Sequence, residues 1–226
     1  MWCMKLDNKK ASIKYFCFAA IILACVYSNV LSQYFVPLFD NIYYGNLTNL
    51  FIAIANAAIW GFEIILLVII AKKLKVHFFT EEENKGELKF WKVITLFALA
   101  IIPMLIISVV IGWKVKIVYD LGERVTIMGL LCNACEMLAY AVRMVLMIMF
   151  IACVQKGFER VIKTKFIIPY GAIFAILTFG LIDFIFFPAQ FAVFYLIMSA
   201  LYGVIYVVAD KKFALSWLIC YLIYLL

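Results

Sequence analysis

Six apolar runs, each about as long as a bilayer is thick, constrain this chain more than any other feature. They lie near 14–37, 49–71, 92–112, 126–153, 166–187 and 190–208. An α-helix needs roughly 20 apolar residues to cross a hydrocarbon core of ~30 Å. Hydrophobic residues make up 69% of the chain, which leaves too little polar surface for a water-soluble domain. The runs are continuous rather than alternating, which favours membrane-spanning helices.

A seventh apolar stretch, 213–226, is shorter than the other six. At ~1.5 Å per residue, a helix over it covers about 21 Å and enters the bilayer without clearly crossing it. The first run lacks a small-residue cleavage site, so we expect it to stay as a helix. The sequence therefore predicts an all-α integral membrane protein. We expect one domain over residues 1–226, a polytopic helical bundle of six spans with a short seventh segment.

Positive charges are concentrated in alternate connecting segments. Sixteen of the 20 Lys and Arg residues lie near the amino terminus, in 72–92, in 156–165 and at Lys211–Lys212. Cytoplasmic loops carry such an excess, so we predict a cytoplasmic amino terminus and a multi-pass protein of the inner, cytoplasmic cell membrane. The net charge of +7 follows from this topology. We expect contacts with membrane lipids and none with nucleic acid, and the Lys-, Ile- and Phe-rich composition indicates a bacterial protein.

Four ionisable residues lie inside the predicted spans: Glu63, Glu136, Arg143 and Asp183. Such residues are costly in lipid, usually face the protein interior and often mark function. Counted from the cytoplasmic ends at ~1.5 Å per residue, Asp183 and Glu136 lie about 26 and 25 Å deep. Arg143 and Glu63 lie about 15 and 12 Å deep on the same count. We therefore expect an outer tier, Glu136 with Asp183, and an inner tier, Glu63 with Arg143.

Each tier has its own chemistry. Two carboxyl groups at the same depth repel each other when both are ionised, and this repulsion costs free energy. Glu136 and Asp183 would therefore share a proton or a cation. Glu63 and Arg143 would form a buried ion pair that fixes the register of the helices. Glu136 and Arg143 are about two turns apart and project from one face of their span. Interhelical hydrogen bonding is the alternative role, favoured for the inner tier and left open for the outer one.

Metal and cofactor chemistry has little support in the sequence. His77 is the single histidine, and it lies in the connecting segment 72–92. Cys132 and Cys135 form a C-x-x-C pattern, but no basic neighbour or further ligand accompanies them. Close helix packing explains these cysteines better, and we expect no metal site and no cofactor.

The last part of the chain resembles a known family. The stretch IPYGAIFAILTFGLID (168–183) and the apolar end LYGVIYVVADKKFALSWLICYLIYLL (201–226) are similar to the carboxy-terminal half of the CPBP family. Its members are intramembrane proteins related to CAAX prenyl proteases and to bacteriocin-immunity proteins. The resemblance covers roughly the last 90 residues and concerns the order and spacing of the helices rather than the catalytic residues.

The catalytic residues of that family are replaced by other residues in this sequence. Phe179 and Asp183 stand where the family has its F-x-x-x-H motif. Cys220 and Tyr224 stand at the histidine and asparagine of its last motif. The glutamate motif E-E-x-x-x-R is missing, although Glu136 lies on the corresponding span. Hydrolysis by the family's usual mechanism is therefore not expected.

Three functions follow from the resemblance and the buried charges. The first is a CPBP-like protein that binds a peptide or membrane partner, for example in bacteriocin immunity or peptide processing. The second is an active, CAAX-protease-like intramembrane endopeptidase in which Glu136 and Asp183 perform the general-base work. The third is a small transporter or substrate-capture subunit, with this carboxylate pair as a proton or cation site.

Overall fold

The computed structural model describes residues 2–28, 46–77, 89–110, 126–162, 168–182 and 189–225. Every regular element in these segments is helical, which confirms the all-α prediction for the described part of the chain. The helices are α1 (Trp2–Val26), α2 (Asn46–Leu74), α3 (Phe90–Val110), α4 (Ile127–Val161), α5 (Tyr170–Ala175), α6 (Ala189–Val208) and α7 (Phe213–Leu225). A π-helical turn, Ile176–Gly180, continues α5 directly.

Helix α4 forms the centre of the bundle. Its start is fixed by Thr126, whose hydroxyl oxygen accepts a hydrogen bond of 3.1 Å from the Gly129 N–H. From Leu146 to Val154 every side chain is buried, so this stretch has no face left for solvent or lipid. Helices α1, α2, α5 and α7 pack against α4 and provide this burial.

Helix α2 has the opposite character. Its apolar part, Asn49–Leu74, is long enough to cross a membrane, yet only 17% of its most apolar window is buried. Phe62 and Ile65 are among its exposed side chains. A water-soluble monomer rarely exposes so continuous an apolar face, whereas lipid accommodates it. Helices α2 and α4 both have the length and composition of membrane spans, which supports a membrane location.

Glycines allow α5 and α6 to pack at close range. A Cβ added at Gly203 of α6 would lie 2.2 Å from the Ala172 Cα of α5. A Cβ added at Gly180 would lie 2.7 Å from a methyl carbon of Leu196 on α6. Small residues at such contacts let helix backbones approach closely, as is common in membrane bundles. The position of α6 on α5 therefore depends on these two glycines.

Lysine-rich helix ends meet at one end of the bundle. The Ser12 hydroxyl of α1 donates a hydrogen bond of 2.7 Å to the Gly157 carbonyl, near the end of α4. Lys156 donates to the His77 carbonyl, which follows the end of α2. The first half of α1, at Ser12, and the ends of α2 and α4 therefore lie at the same end of the bundle.

Two ion pairs bring the turn between α6 and α7 to the same end. Lys92, at the start of α3, pairs with Asp210 of this turn. Lys211 of the turn pairs with Glu159 of α4 at 2.7 Å. Successive helices of the described chain consequently run in alternating directions, with their basic ends collected together.

Helices α1 and α4 extend by about two turns or more beyond the apolar runs that predicted them. Helix α1 begins at Trp2, before the predicted span 14–37, and ends at Val26. Residues 29–45, which include the end of that predicted span, lie outside the described residues. Helix α4 continues past residue 153 to Val161, because Gln155 finds hydrogen-bond partners inside the bundle. Hydropathy measures transfer into lipid, whereas helix length depends on these internal contacts as well.

Candidate functional site

A cavity of about 180 Å³ lies between α2 and α4. Its wall combines apolar side chains with two amides, two aromatic rings, one acid and one base. These six are Asn49, Asn56 and Trp60 of α2 and Glu136, Tyr140 and Arg143 of α4. Ionisable and amide groups that converge on one cavity in otherwise apolar helices are typical of a binding or catalytic site. We name this cavity the α2/α4 pocket.

Arg143 and Trp60 form one side of the α2/α4 pocket. The guanidinium carbon of Arg143 lies 5.8 Å from the Trp60 ring centroid, within cation–π range. Trp60 is only 3% exposed. The Arg143 Nε and the Trp60 indole nitrogen are both buried, and neither has a hydrogen-bond acceptor among the described residues. Buried donors without acceptors cost about 1–3 kcal/mol each, so this pair is a candidate for function rather than for stability.

Glu136 lies closer to the start of α4 on the same pocket wall. Its Oε1 accepts a hydrogen bond from the Cys132 thiol at 3.4 Å. Seven residues separate Glu136 from Arg143, which is about 10.5 Å along the helix axis. The pocket therefore presents an acid and a base at two different depths. Asn49, near the start of α2, is exposed and also lines the pocket.

The structure does not bring Glu63 and Arg143 together. Ser28, just after α1, donates a hydrogen bond of 3.2 Å to the Glu63 Oε2. Among the described residues no ion pair joins Arg143 to Glu63 or to another carboxylate. Trp60 faces α4, whereas Glu63, almost one turn further along α2, faces the end of α1. The predicted inner tier is therefore replaced by two separate contacts.

The predicted outer tier involves Asp183, which lies outside the described residues. The pairing of Glu136 with Asp183 consequently stays a prediction. Glu136 itself is placed in the α2/α4 pocket, beside Arg143 on the same helix face. A shared proton or cation at Glu136 is not required to explain its position, since the pocket supplies a polar environment.

The side chains at the CPBP motif positions have different surroundings. Tyr224 lies beside the α2/α4 pocket, with its ring centroid 4.3 Å from that of Tyr140. Cys220 is fully buried in α7. Phe179 is buried in the π-helical turn and meets Phe150 of α4 edge-on, with centroids 5.0 Å apart. Of these three positions, Tyr224 is the one in contact with a pocket residue.

Helix α7 is held along α4 at the level of the pocket. The Trp217 indole N–H donates 3.0 Å to the Ala141 carbonyl. The Tyr221 hydroxyl donates 3.2 Å to the Met137 carbonyl. These two bonds satisfy polar groups that would otherwise be costly in an apolar interior. They also fix the α4 segment that carries Glu136 and Arg143.

The polar residues of α2 are the part of the site that the sequence analysis missed. Asn49, Asn56 and Trp60 are spaced by seven and four residues. At about 100° per residue, these three positions fall within about 40° of one helix face. This periodicity was visible in the sequence, and it marks the face of α2 that meets α4. Amides stand out less than ionisable residues in an apolar run, because an uncharged polar group costs less to bury than a charge.

No group of three or more His, Cys, Asp or Glu side chains in the described segments is arranged to hold a metal ion. The sequence matches no protein-family model, no curated protein and no solved structure. The CPBP resemblance therefore rests on the motif positions alone. The function has to be argued from the α2/α4 pocket and its surroundings.

Proposed function

We propose that this chain is a multi-pass protein of the bacterial cell membrane, with six spans and its amino terminus in the cytoplasm. The basic helix ends support this orientation, since they gather at one end of the bundle although they are far apart in sequence. The exposed apolar face of α2 supports the lipid environment. On this orientation the α2/α4 pocket lies in the outer half of the membrane, because its lining residues belong to the first halves of α2 and α4.

We further propose that the protein acts by binding rather than by peptide hydrolysis. Arg143 carries this proposal: it is held against Trp60 and has no anionic partner in the described chain. A guanidinium in this state is suited to an oxyanion of a ligand. For hydrolysis, Glu136 as general base and Arg143 as oxyanion donor would have to reach the same carbonyl group, whereas their α-carbons lie about 10.5 Å apart along α4. The single histidine, His77, follows the far end of α2 and is not part of the pocket lining.

On this proposal the chain is a relative of the CPBP proteins that lacks their protease residues. The placement of α7 supports this relationship, because it brings the motif position Tyr224 against the pocket residue Tyr140. The partner would be a peptide or a membrane component, as in immunity to a bacteriocin. The binding proposal does not depend on the relationship, since it is argued from the pocket.

The pocket volume favours a second candidate function, substrate capture for transport. A cavity of about 180 Å³ suits a small molecule better than a folded partner. Intramembrane ionisable residues commonly mark substrate pathways. A transporter would have to release its ligand on the other side, so uptake into vesicles separates this function from binding alone.

A peptide-library experiment tests binding against hydrolysis. Vesicles with the purified wild-type protein, or with Arg143→Gln or Glu136→Gln, are incubated with the library, and peptides are analysed by mass spectrometry. We expect peptides to bind to the wild-type protein and to be recovered uncleaved. At least about tenfold fewer peptides should bind to Arg143→Gln, because this variant loses a charge-assisted hydrogen bond. Glu63→Gln is the matched control, because Glu63 is a carboxylate of α2 that lies outside the pocket. This variant should bind as many peptides as the wild type. New peptide termini that disappear in Glu136→Gln would instead establish a protease.

A further inference from the structure

We infer that the α2/α4 pocket binds a small apolar carboxylate, with the carboxylate group at Arg143 beside Trp60 and the apolar part against the alanines of the pocket wall. This inference rests on the proposed binding function and names the ligand class for it. It is based on three observations: the unpartnered donors of Arg143 and Trp60, the small apolar side chains that line the same cavity, and the cavity volume.

The donors of Arg143 and Trp60 require an acceptor. The Arg143 Nε and the Trp60 indole nitrogen are buried and have no hydrogen-bond acceptor in the described chain. Both side chains line the α2/α4 pocket. Because buried N–H groups are nearly always hydrogen-bonded, the missing acceptor has to come from the contents of the cavity. Arg143 also forms no ion pair in the described segments, so a negatively charged acceptor is favoured.

A carboxylate suits Arg143 in shape and in charge. The guanidinium group presents its N–H groups in a planar fork, and a carboxylate accepts two of them side by side. The Trp60 ring centroid lies 5.8 Å from the guanidinium carbon, so the ring restricts the movement of the guanidinium plane. The single negative charge of a carboxylate also equals the single positive charge of Arg143. A flat, singly charged group is therefore the anion that fits this end of the pocket best.

Glu136 is not required for this contact. It has interactions of its own, among them the hydrogen bond from the Cys132 thiol. Its α-carbon lies about 10.5 Å from that of Arg143 along α4. Coulomb energy falls in proportion to distance, so attraction at ~4 Å from the guanidinium exceeds repulsion at about 10 Å more than twofold, even if Glu136 is ionised. The carboxylate is consequently placed at Arg143, away from Glu136.

The wall beside Arg143 and Trp60 accommodates an apolar group. Ile52, Ala53 and Ala139 line the cavity. The two alanines leave space between α2 and α4 that larger side chains would fill. An apolar ligand group in this space removes apolar surface from water, which stabilises the complex. The pocket therefore matches a ligand with one charged end and one apolar end.

The volume of the cavity limits the size of this ligand. A cavity of about 150 Å³ in another protein admits benzene, so about 180 Å³ admits a carboxylate of the size of pentanoate or benzoate. The same chemistry occurs in two sources. One is a free small carboxylate. The other is the last residue of a peptide, whose terminal carboxylate and apolar side chain together have a similar size.

The test measures binding to the full chain in phosphatidylcholine nanodiscs by isothermal titration calorimetry. The probes are benzoate and the unbranched carboxylates from acetate to hexanoate, each compared with its primary amide, which has nearly the same shape and no charge. We expect pentanoate or benzoate to bind most tightly. The matching amide should bind at least about tenfold more weakly, because it lacks the charge-assisted hydrogen bonds to Arg143.

A peptide probe separates the two sources. Acetylated dialanine is measured with a free carboxyl end and with an amidated one. Tighter binding of the free-acid peptide than of pentanoate and benzoate, with loss of this binding on amidation, would assign the site to peptide ends. Binding of the small carboxylates alone would assign it to free carboxylates.

Variants locate the ligand in the pocket. Arg143→Gln should weaken binding of the best carboxylate at least about tenfold and remove its advantage over the amide. Ala53→Leu should weaken binding to a similar extent, because leucine fills the space for the apolar group. Ala55→Leu is its matched control, since Ala55 is an exposed alanine of α2 that does not line the pocket. Ala139→Leu repeats the test from α4, and the unfolding transition of each variant shows that it is folded.

Three results would overturn the inference. Amides that bind as tightly as their carboxylates would show that the pocket does not recognise charge. Unchanged affinity in folded Arg143→Gln would place the carboxylate elsewhere. Absence of binding for every probe to the folded wild type would leave water as the acceptor for the buried N–H groups. In each case, peptides captured from the library by the wild type and lost in Arg143→Gln would leave the proposed function standing, and their absence would end both.

Discussion

Replacing Gly203 by alanine should lower the free energy of unfolding by about 3 kcal/mol, the upper end of the usual cost of overpacking. The new Cβ would lie 2.2 Å from the Cα and 2.4 Å from the backbone nitrogen of Ala172. Backbone atoms of a helix cannot rotate away as a side chain can. Helix α6 would therefore have to shift on α5, with loss of the contacts on both sides. Unfolding in mixed detergent micelles, followed by circular dichroism, measures the change.

Gly61→Ala is the matched control for this substitution. Gly61 is also a helical glycine, but a Cβ added there meets no atom within 4 Å. Because alanine is the better helix former by up to about 1 kcal/mol, Gly61→Ala should be as stable as the wild type or slightly more stable. Equal stability of Gly203→Ala and Gly61→Ala would show that α5 and α6 are not in close contact at Gly203.

Replacing Gln155 by leucine should also cost about 3 kcal/mol. Gln155 is fully buried, and its amide nitrogen donates to the Glu159 carboxylate at 2.6 Å and to the Ile168 carbonyl at 2.9 Å. Its amide oxygen accepts from the Gly171 N–H at 2.9 Å. Leucine has a similar volume but cannot form hydrogen bonds with Glu159, Ile168 and Gly171. Each of their polar groups that is buried and left without a partner lowers the free energy of unfolding by about 1–3 kcal/mol. The link between α4 and the beginning of α5 would be weakened most.

Met149→Leu is the control for the Gln155 variant. Met149 lies on the same helix, is fully buried and forms no polar link to α5. A volume-conserving apolar exchange usually costs less than about 1.5 kcal/mol. Equal unfolding free energies for Gln155→Leu and Met149→Leu would mean that the three hydrogen bonds of Gln155 contribute little net stability. Hydrogen exchange at Gly171, which should increase only in Gln155→Leu, gives a local readout of the same bond.

Much of the helical framework could be predicted from the sequence because it depends on local properties. Apolar runs indicate where helices lie, and helices α2 and α6 correspond closely to the predicted runs 49–71 and 190–208. The basic segments predict which helix ends belong together, and the contacts of Lys211 and Ser12 join such ends. These features need only the hydropathy and the charge of each segment.

The partners inside the bundle could not be predicted in the same way. Counting residues gives the depth of Glu63 and Arg143, but it does not give the rotation of α2 about its axis. The observed rotation points Trp60 at Arg143 and leaves Glu63 to Ser28. This rotation is set by the packing of whole helix faces, and therefore by residues distant in the sequence. The spacing of Asn49, Asn56 and Trp60, which places them on one face of α2, limits the rotations of this helix that are compatible with packing against α4.

The complete burial of α4 between Leu146 and Val154 has a consequence for biosynthesis. Two of the helices that cover it, α5 and α7, are translated after it. At about 5–20 residues per second, the ribosome needs roughly 4 to 14 seconds to continue from Val154 to the end of α7. At the start of this interval, before residues 168–171 are synthesised, Gln155 has neither Ile168 nor Gly171 as a partner. The final packing of α4 therefore follows the synthesis of α5 and α7, and until then the α4 side chains that these two helices cover lack their partners.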